Sequence, residues 1–437
     1  MVRRTIRLAA FAALATLSTL GARAAAASGA WTATWTASPH ATWGADFALP
    51  TGVPAMLDRQ TVSETARISV GGRRVRVVLS NRYGTQPVRI GAARVARVAR
   101  STGISGLCGT SATRTGSSAG MPAPSDAGTA LTFGGQRQAT IAPGAPLVSD
   151  PVDLPVAALD RLTVRVYLPH ATPLSTFHWG AQQTGRIDAG DVTAASIRSR
   201  PAALLHGRAL LSAIVVETDM QRDVIVALGD SITDGNGSTP DQDRRWPDVL
   251  AARMASRHIA VVNAGISGAR LLGERMGENA AARFGPDVLQ QPGVQTVVVL
   301  LGLNDIGWPG SAFAPREPAM TAARMIAAYR QLIAQARTHG VRIVGATLPP
   351  FEGALHGTPF DGYYTPAKDG VRREVNRWIL TGGEFDAAAD VDAALRDPQH
   401  PARLLARYDS GDHLHPGDAG YETIAAAVAT TLGGLSR

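Results

Sequence analysis

The sequence predicts two unlike halves: an all-β sandwich or jelly roll over residues 27–218, and an α/β domain on a parallel sheet over residues 219–437. Three observations carry this expectation. Short alternating runs separated by Gly, Pro, Asn and Asp fill the first half without a convincing helical period. After Asp219 the apolar runs become continuous and alternate with helical patterns, as strands buried on both faces do. A chain of 437 residues also exceeds what a single core usually accommodates.

The N-terminus is read apart from both halves. Arg3, Arg4 and Arg7 precede an apolar stretch from Leu8 to Leu20, and small-residue sites follow at Ala22-Arg23-Ala24 and Ala24-Ala25-Ala26. A positive start, an apolar segment too short to span a bilayer and small residues before a cut make up a secretory signal peptide. Residues 1–26 are therefore expected to be removed, leaving a secreted or periplasmic protein. No later segment offers about 18 uninterrupted apolar residues, so no transmembrane segment is expected. The single cysteine, Cys108, excludes an intramolecular disulfide and a cysteine-cluster metal site.

Within the β half, Arg67 to Ser80 holds two alternating runs broken by Gly71-Gly72, which predicts a hairpin. Further strands are expected over 88–90, 129–133, 138–141, 161–167, 175–180 and 209–216. The Ser/Gly/Thr/Ala/Pro-rich stretch from Ser101 to Gly128, which contains Cys108, reads as a long loop. Trp31, Trp35, Trp43 and Trp179 fall in the β half, where exposed aromatics could stack on sugars, but core or domain-interface packing is expected for most of them. In the second half, buried strands are expected at Val224–Leu228, Ala260–Val262, Thr296–Leu301 and Val341–Ala346. A helix is marked by Ala322, Met325, Tyr329, Leu332 and Ala336 and stops at Gly340.

The net charge of +8 and pI near 10.3 invite a nucleic-acid reading. Every basic residue except Lys368 is an arginine, scattered without long basic runs, so no nucleic-acid partner is expected. From Ala27 to Val215, 18 arginines face 9 acidic residues, whereas from Val216 onward 21 basic residues face 26 acidic ones. The expectation is a basic β domain able to contact anionic glycan or cell-wall material beside a mildly acidic second domain.

In a parallel α/β sheet, ligands bind beyond the carboxyl ends of the strands. There the chain reads Gly229-Asp230-Ser231-Ile232-Thr233-Asp234-Gly235, Asn263-Ala264-Gly265-Ile266-Ser267-Gly268 and Gly302-Leu303-Asn304-Asp305, and near the C-terminus Asp409-Ser-Gly-Asp-His-Leu-His-Pro416. Ser231 would follow a strand and open a helix, where free N–H groups favour developing negative charge. It would also serve as a helix cap, and its partners decide between the two. Asp412 and His415, three residues apart in a turn closed by Pro416, allow a carboxylate to hold one imidazole nitrogen while the other faces a nucleophile. A serine hydroxyl needs such a base before it attacks a carbonyl. The Ser231 N–H, the Gly268 N–H and the Asn304 amide would form a three-donor oxyanion hole, each donor worth ~3 kcal/mol when well aimed.

These four blocks resemble those of the SGNH (GDSL-type) hydrolase superfamily, named for Ser, Gly, Asn and His in such segments. The resemblance covers about residues 222–435 and implies a flavodoxin-like three-layer α/β sandwich. It also implies Ser231 as nucleophile, Gly268 and Asn304 as oxyanion donors, His415 as base and Asp412 as its orienter. The β half is similar to the leading domain of larger two-domain bacterial members, a likeness that carries no site residues. No Gly-x-Ser-x-Gly elbow surrounds Ser231, which disfavours the α/β-hydrolase alternative.

Other polar residues are weighed alongside. Arg245 and Trp246 are candidate substrate-binding residues of the pocket. Asp230 and Asp234 are read as helix caps. His413 and His415 with Asp409 and Asp412 form too weak a pattern for a metal site, and no cofactor is implied. The expected function is a secreted serine esterase cleaving short-chain acyl esters, carbohydrate O-acetyl esters among them, through an acyl-enzyme. The alternatives are acyl transfer from the same intermediate, or a carbohydrate- or envelope-binding protein with little turnover.

Overall fold

A computed structural model describes residues 29–98, 128–196 and 200–435. The expected signal peptide and the 101–127 stretch with Cys108 lie outside the described residues.

The β half is an antiparallel sandwich whose long strands are β1 (Ala30–Thr36), β2 (Gln60–Arg67), β3 (Gly72–Ser80), β4 (Ala92–Arg97), β5 (Arg161–Leu168), β6 (Gly185–Ala189) and β7 (Leu211–Thr218). One sheet runs β1–β7–β3, with Pro146–Val148 and Val152–Val156 both paired to the far side of β3. The other runs from Ala203–Leu205 through β6, β2, β5 and β4 to Thr129–Ala130. Alternation explains the core: β3 buries Val75, Val77 and Leu79, and β5 buries Leu162, Val164, Val166 and Leu168.

The hairpin expected at Gly71-Gly72 does not form. Strand β2 pairs with β5 and β6, while β3 pairs with β7 in the opposite sheet. Neither glycine has the positive φ that a two-residue hairpin turn requires. A Cβ on Gly71 would instead lie 2.3 Å from the Val156 carbonyl oxygen, and one on Gly72 2.5 Å from that of Glu217. The pair lets the chain step between sheets where backbones touch.

In the second half, β8 (Val224–Gly229), β9 (Ala260–Gly265), β10 (Val294–Leu300), β11 (Arg342–Ala346) and β12 (Ala387–Ala389) form a parallel sheet in the order β9–β8–β10–β11–β12. This 2-1-3-4-5 order is the flavodoxin-like one, and it places the topological switch between β8 and β10. Every residue of β8 and β9 is buried, as a sheet covered on both faces demands. The covering helices include α1 (Ser231–Asp234), α2 (Trp246–Met254), α3 (Leu303–Gly307), α4 (Ala322–Thr338), α5 (Pro366–Thr381) and α6 (Asp418–Gly434), with α2 packed on α6 and α4 on α5. Among the described residues, no helix is long and apolar enough to cross a membrane.

The sandwich closes the open edge of this sheet. Strand β1 lies against β9, where Thr36 Oγ1 donates to the Asn263 carbonyl at 2.7 Å and the Val261 N–H donates to Ser69 Oγ at 3.2 Å. Ala33 N–H reaches the Pro292 carbonyl at 2.9 Å, and Arg161 pairs with Asp243.

Candidate active site

Ser231 starts α1 directly after β8, at the carboxyl edge beside the switch point. Asp230 accepts the Ile232 N–H at 3.0 Å and caps the turn, and Gly235 at φ 106° ends it. Full burial pushes the Asp230 carboxyl up to about 7. The loop before α6 brings His415 Nε2 to 2.8 Å from Ser231 Oγ and His415 Nδ1 to 2.5 Å from Asp412 Oδ2. Asp412 Oδ1 in turn accepts the N–H groups of Leu414 at 2.9 Å and His415 at 2.8 Å. Burial alone would raise the Asp412 pKa, but the hydrogen bond and charge of His415 and these two amides outweigh it and hold the carboxyl below the usual range. An ionised Asp412 keeps the ring proton on Nδ1, so the Nε2 lone pair faces the serine hydroxyl.

The two other strand ends converge on the same cavity. Gly268 sits at φ 75°, and a Cβ there would lie 2.4 Å from Met276 Sδ, so neither its backbone nor its surroundings admit a side chain. Asn304 opens into the cavity with its amide fixed. Tyr363 Oη donates to Asn304 Oδ1 at 2.8 Å and Trp308 Nε1 does so at 3.0 Å, while Asn304 Nδ2 donates to the Ala269 carbonyl at 3.0 Å. One Nδ2 hydrogen is left over, and the N–H groups of Ser231 and Gly268 donate to no other group among the described residues. Three donors are thus free for one substrate oxygen. Asp305, whose carboxyl burial raises to about 6, accepts the N–H groups of Leu271 at 2.7 Å and Leu272 at 3.0 Å and ties the Gly268 loop to α3.

The clamp on Asn304 has a measurable consequence. Tyr363→Phe removes one of the two donors to Oδ1, and a net hydrogen bond of about 1 kcal/mol corresponds to roughly a fivefold loss. The expected result is a fall of that size in kcat for an aryl acetate with KM nearly unchanged. A fall confined to KM would place Tyr363 in substrate binding instead.

The cavity has a volume of about 140 Å³ and is walled by Trp308, Phe313, Phe360, Tyr363, Met276 and Leu355. Trp308 stacks on Phe313 at 5.0 Å and Phe313 on Phe360 at 4.5 Å. Leu49 and Trp179 complete the wall from the β half, which the sequence reading credits with no site residue. These aromatics stand singly in irregular segments, where no period marks them.

Arg245 and Trp246 are not in this wall. Trp246 is fully buried under α1, its indole N–H 3.3 Å from Thr233 Oγ1, and Arg245 is spent on Asp248 at 2.6 Å. They build the helix start rather than the pocket. Asp234 does not cap a helix either: its Oδ1 lies 2.9 Å from His178 Nε2 of the sandwich, and its Oδ2 accepts from Ser267 Oγ at 2.7 Å. His413 is engaged by Asp409 at 2.5 Å, apart from the Asp412–His415 pair.

Over residues 227–423 the chain matches the family described as GDSL-like Lipase/Acylhydrolase. No curated protein matches it. Similar solved structures include a carbohydrate acetylesterase from Sinorhizobium meliloti, 16% identical over 49% of this chain and 100% of that one, with TM-score 0.38. Another is a GDSL-like lipase from Bacteroides thetaiotaomicron, 15% identical over 49% of this chain and 88% of that one, with TM-score 0.35. The family match spans the segments bearing Ser231, Gly268, Asn304 and His415, and by it the C-terminal domain belongs to the GDSL-like lipase/acylhydrolase family and the protein to the carboxylic ester hydrolases.

Proposed function

We propose that the protein is a secreted serine esterase that cleaves short acyl esters, O-acetylated carbohydrates among them, through an acyl-enzyme. The observation that carries this reading is the unbroken hydrogen-bonded line from Asp412 through His415 to Ser231. Ser231 Oγ attacks the ester carbonyl as His415 Nε2 takes its proton. The new oxyanion accepts hydrogen bonds from the N–H groups of Ser231 and Gly268 and from Asn304 Nδ2. Collapse expels the alcohol, which receives the proton back from His415, and the acyl group stays on Ser231. Water then enters, gives its proton to His415, and repeats the sequence to release the acid and free serine. A cavity of about 140 Å³ supports a short acyl group, since a cavity of roughly 150 Å³ holds one benzene.

A panel of aryl esters from acetate to long chains tests the acyl preference, with kcat/KM expected to fall beyond a few carbons. Diisopropyl fluorophosphate is expected to abolish turnover and to modify the peptide containing Ser231, read by mass spectrometry. Full inactivation with the label on another residue would refute the assignment. Export belongs to the same reading and is checked by N-terminal sequencing of protein recovered from the medium or periplasm.

A further inference from the structure

Beside the catalytic cavity lies a second one of about 390 Å³, bounded among others by Trp179, Gln182, Gln183, Thr184, His206 and Pro240. Trp179 borders both cavities, and Leu49 of the first is followed directly by Pro50 of the second. Gln182 Nε2 donates to Asn236 Oδ1 at 3.2 Å, and Asn236 also lines the catalytic cavity. The two spaces therefore adjoin at Trp179 and at Leu49-Pro50, residues that the sandwich supplies.

The lining of the second cavity specifies its ligand. No Asp, Glu, Lys or Arg contributes to it, although the sandwich as a whole carries nearly twice as many arginines as acids. Gln183 Nε2 is engaged by Asp241 Oδ1 at 2.9 Å, and Gln182 Nε2 by Asn236 and the Gly180 carbonyl at 3.2 Å. Both hydrogens of Gln182 Nε2 are thereby used and one of Gln183 Nε2 remains, while the amide carbonyls of both glutamines accept no hydrogen bond from the described residues, so together they offer a ligand two acceptors and one donor. Acceptors suit hydroxyl groups, and a half-buried indole suits the C–H face of a sugar ring.

The wall is also rigidly referenced to the nucleophile. The Trp179 N–H donates to His40 Nε2 at 3.0 Å, and His178 is held between the Ser38 carbonyl and Asp234, each at 2.9 Å. Gly180 lies at φ 76° with room for no side chain, because a Cβ would sit 2.9 Å from Ser267 Oγ. Gln182 adopts φ 48°, a left-handed conformation uncommon for a residue other than glycine and of the kind that concentrates at functional sites.

We propose that this second cavity is the leaving-group subsite and takes the ring of a neutral sugar, while the acyl group enters the aromatic-walled cavity beyond Ser231. The proposal rests on the esterase reading above and adds the alcohol half of the substrate. The sandwich thereby sets specificity, and the arginine excess that suggests an anionic ligand lies outside the subsite.

The test uses the purified full-length protein and three acetates: methyl 3-O-acetyl-glucoside, methyl 3-O-acetyl-glucuronide, whose carboxylate replaces the CH2OH group, and 4-nitrophenyl acetate. The glucoside is expected to exceed the glucuronide at least about tenfold in kcat/KM. Trp179→Ala is expected to lower the ratio of glucoside to 4-nitrophenyl acetate kcat/KM about tenfold, mainly through KM for the sugar ester. His206→Ala, at an exposed position that tolerates truncation, is expected to lower it about threefold. Equal or better turnover of the glucuronide, or an unchanged ratio in the folded variants, would overturn the proposal. Hydrolysis of 4-nitrophenyl acetate without turnover of the glucoside overturns the subsite alone, whereas failure on all three overturns the esterase reading beneath it.

Discussion

Ser231→Ala is expected to lower kcat for an aryl acetate by at least about 10⁴-fold, with circular dichroism and melting temperature little changed. The side chain's partner in the structure is His415, at 2.8 Å, so truncation removes a nucleophile without emptying a core position. His415→Ala should cost as much, and the double variant no more than either, because the residues act as one unit and the residual rate belongs to the oxyanion donors. Asp412→Asn is the sharper companion. The amide keeps the shape but accepts through one atom only, so the imidazole can turn its lone pair away from the serine, a loss of about 10⁴ in comparable triads. Since Asp412 is held below the usual carboxylate range, it stays ionised throughout neutral pH, so its own protonation should produce no step in the wild-type rate there. Additive losses across the three positions would show that they act independently.

Gly268→Ala is expected to lower kcat by about 10²–10³-fold, the size of the loss when one oxyanion donor is misaimed. The new Cβ would meet Met276 Sδ at 2.4 Å, and φ 75° is a conformation that alanine resists, so the loop must move and carry the N–H with it. Pairing it with Met276→Ala eases the contact without abolishing it. The sulfur and Cγ are removed, but the residue 276 Cβ at 2.8 Å and the backbone strain of roughly 1–2 kcal/mol stay, so the double variant should regain part of the lost rate. Wild-type kcat in Gly268→Ala would take this residue out of the oxyanion role.

The parts legible in the sequence are those that local chemistry encodes. Strands such as Val224–Leu228 and Thr296–Leu301 read correctly because burial on both faces leaves a continuous apolar run, and the polar residues that stop each run are those the sheet presents at its carboxyl edge. What could not be read depends on partners far along the chain. Tyr363 reaches Asn304 across 59 residues, and His178 reaches Asp234 across 56. Trp179 is one of four tryptophans of the β half that could face either a sugar or the core until the fold sets it beside Ser231. The Gly71-Gly72 step misled for a related reason: alternation reports which face of a strand is buried and not which strand lies beside it. Arg245-Trp246 looked like a ligand contact because both residue types bind ligands when exposed, and only burial shows that they do not.

The contact between β1 and β9 bears on how such a protein can change over time. Val261 and Asn263 sit on the sheet's outermost strand, and their backbone groups are satisfied by Ser69 and Thr36 of the sandwich. An uncovered strand edge is a template for pairing with other chains. The hydrolase half therefore cannot be lifted out and joined to a different leader without a new cover for that edge. Recombination that exchanged the sandwich wholesale would lose both the cover and Trp179.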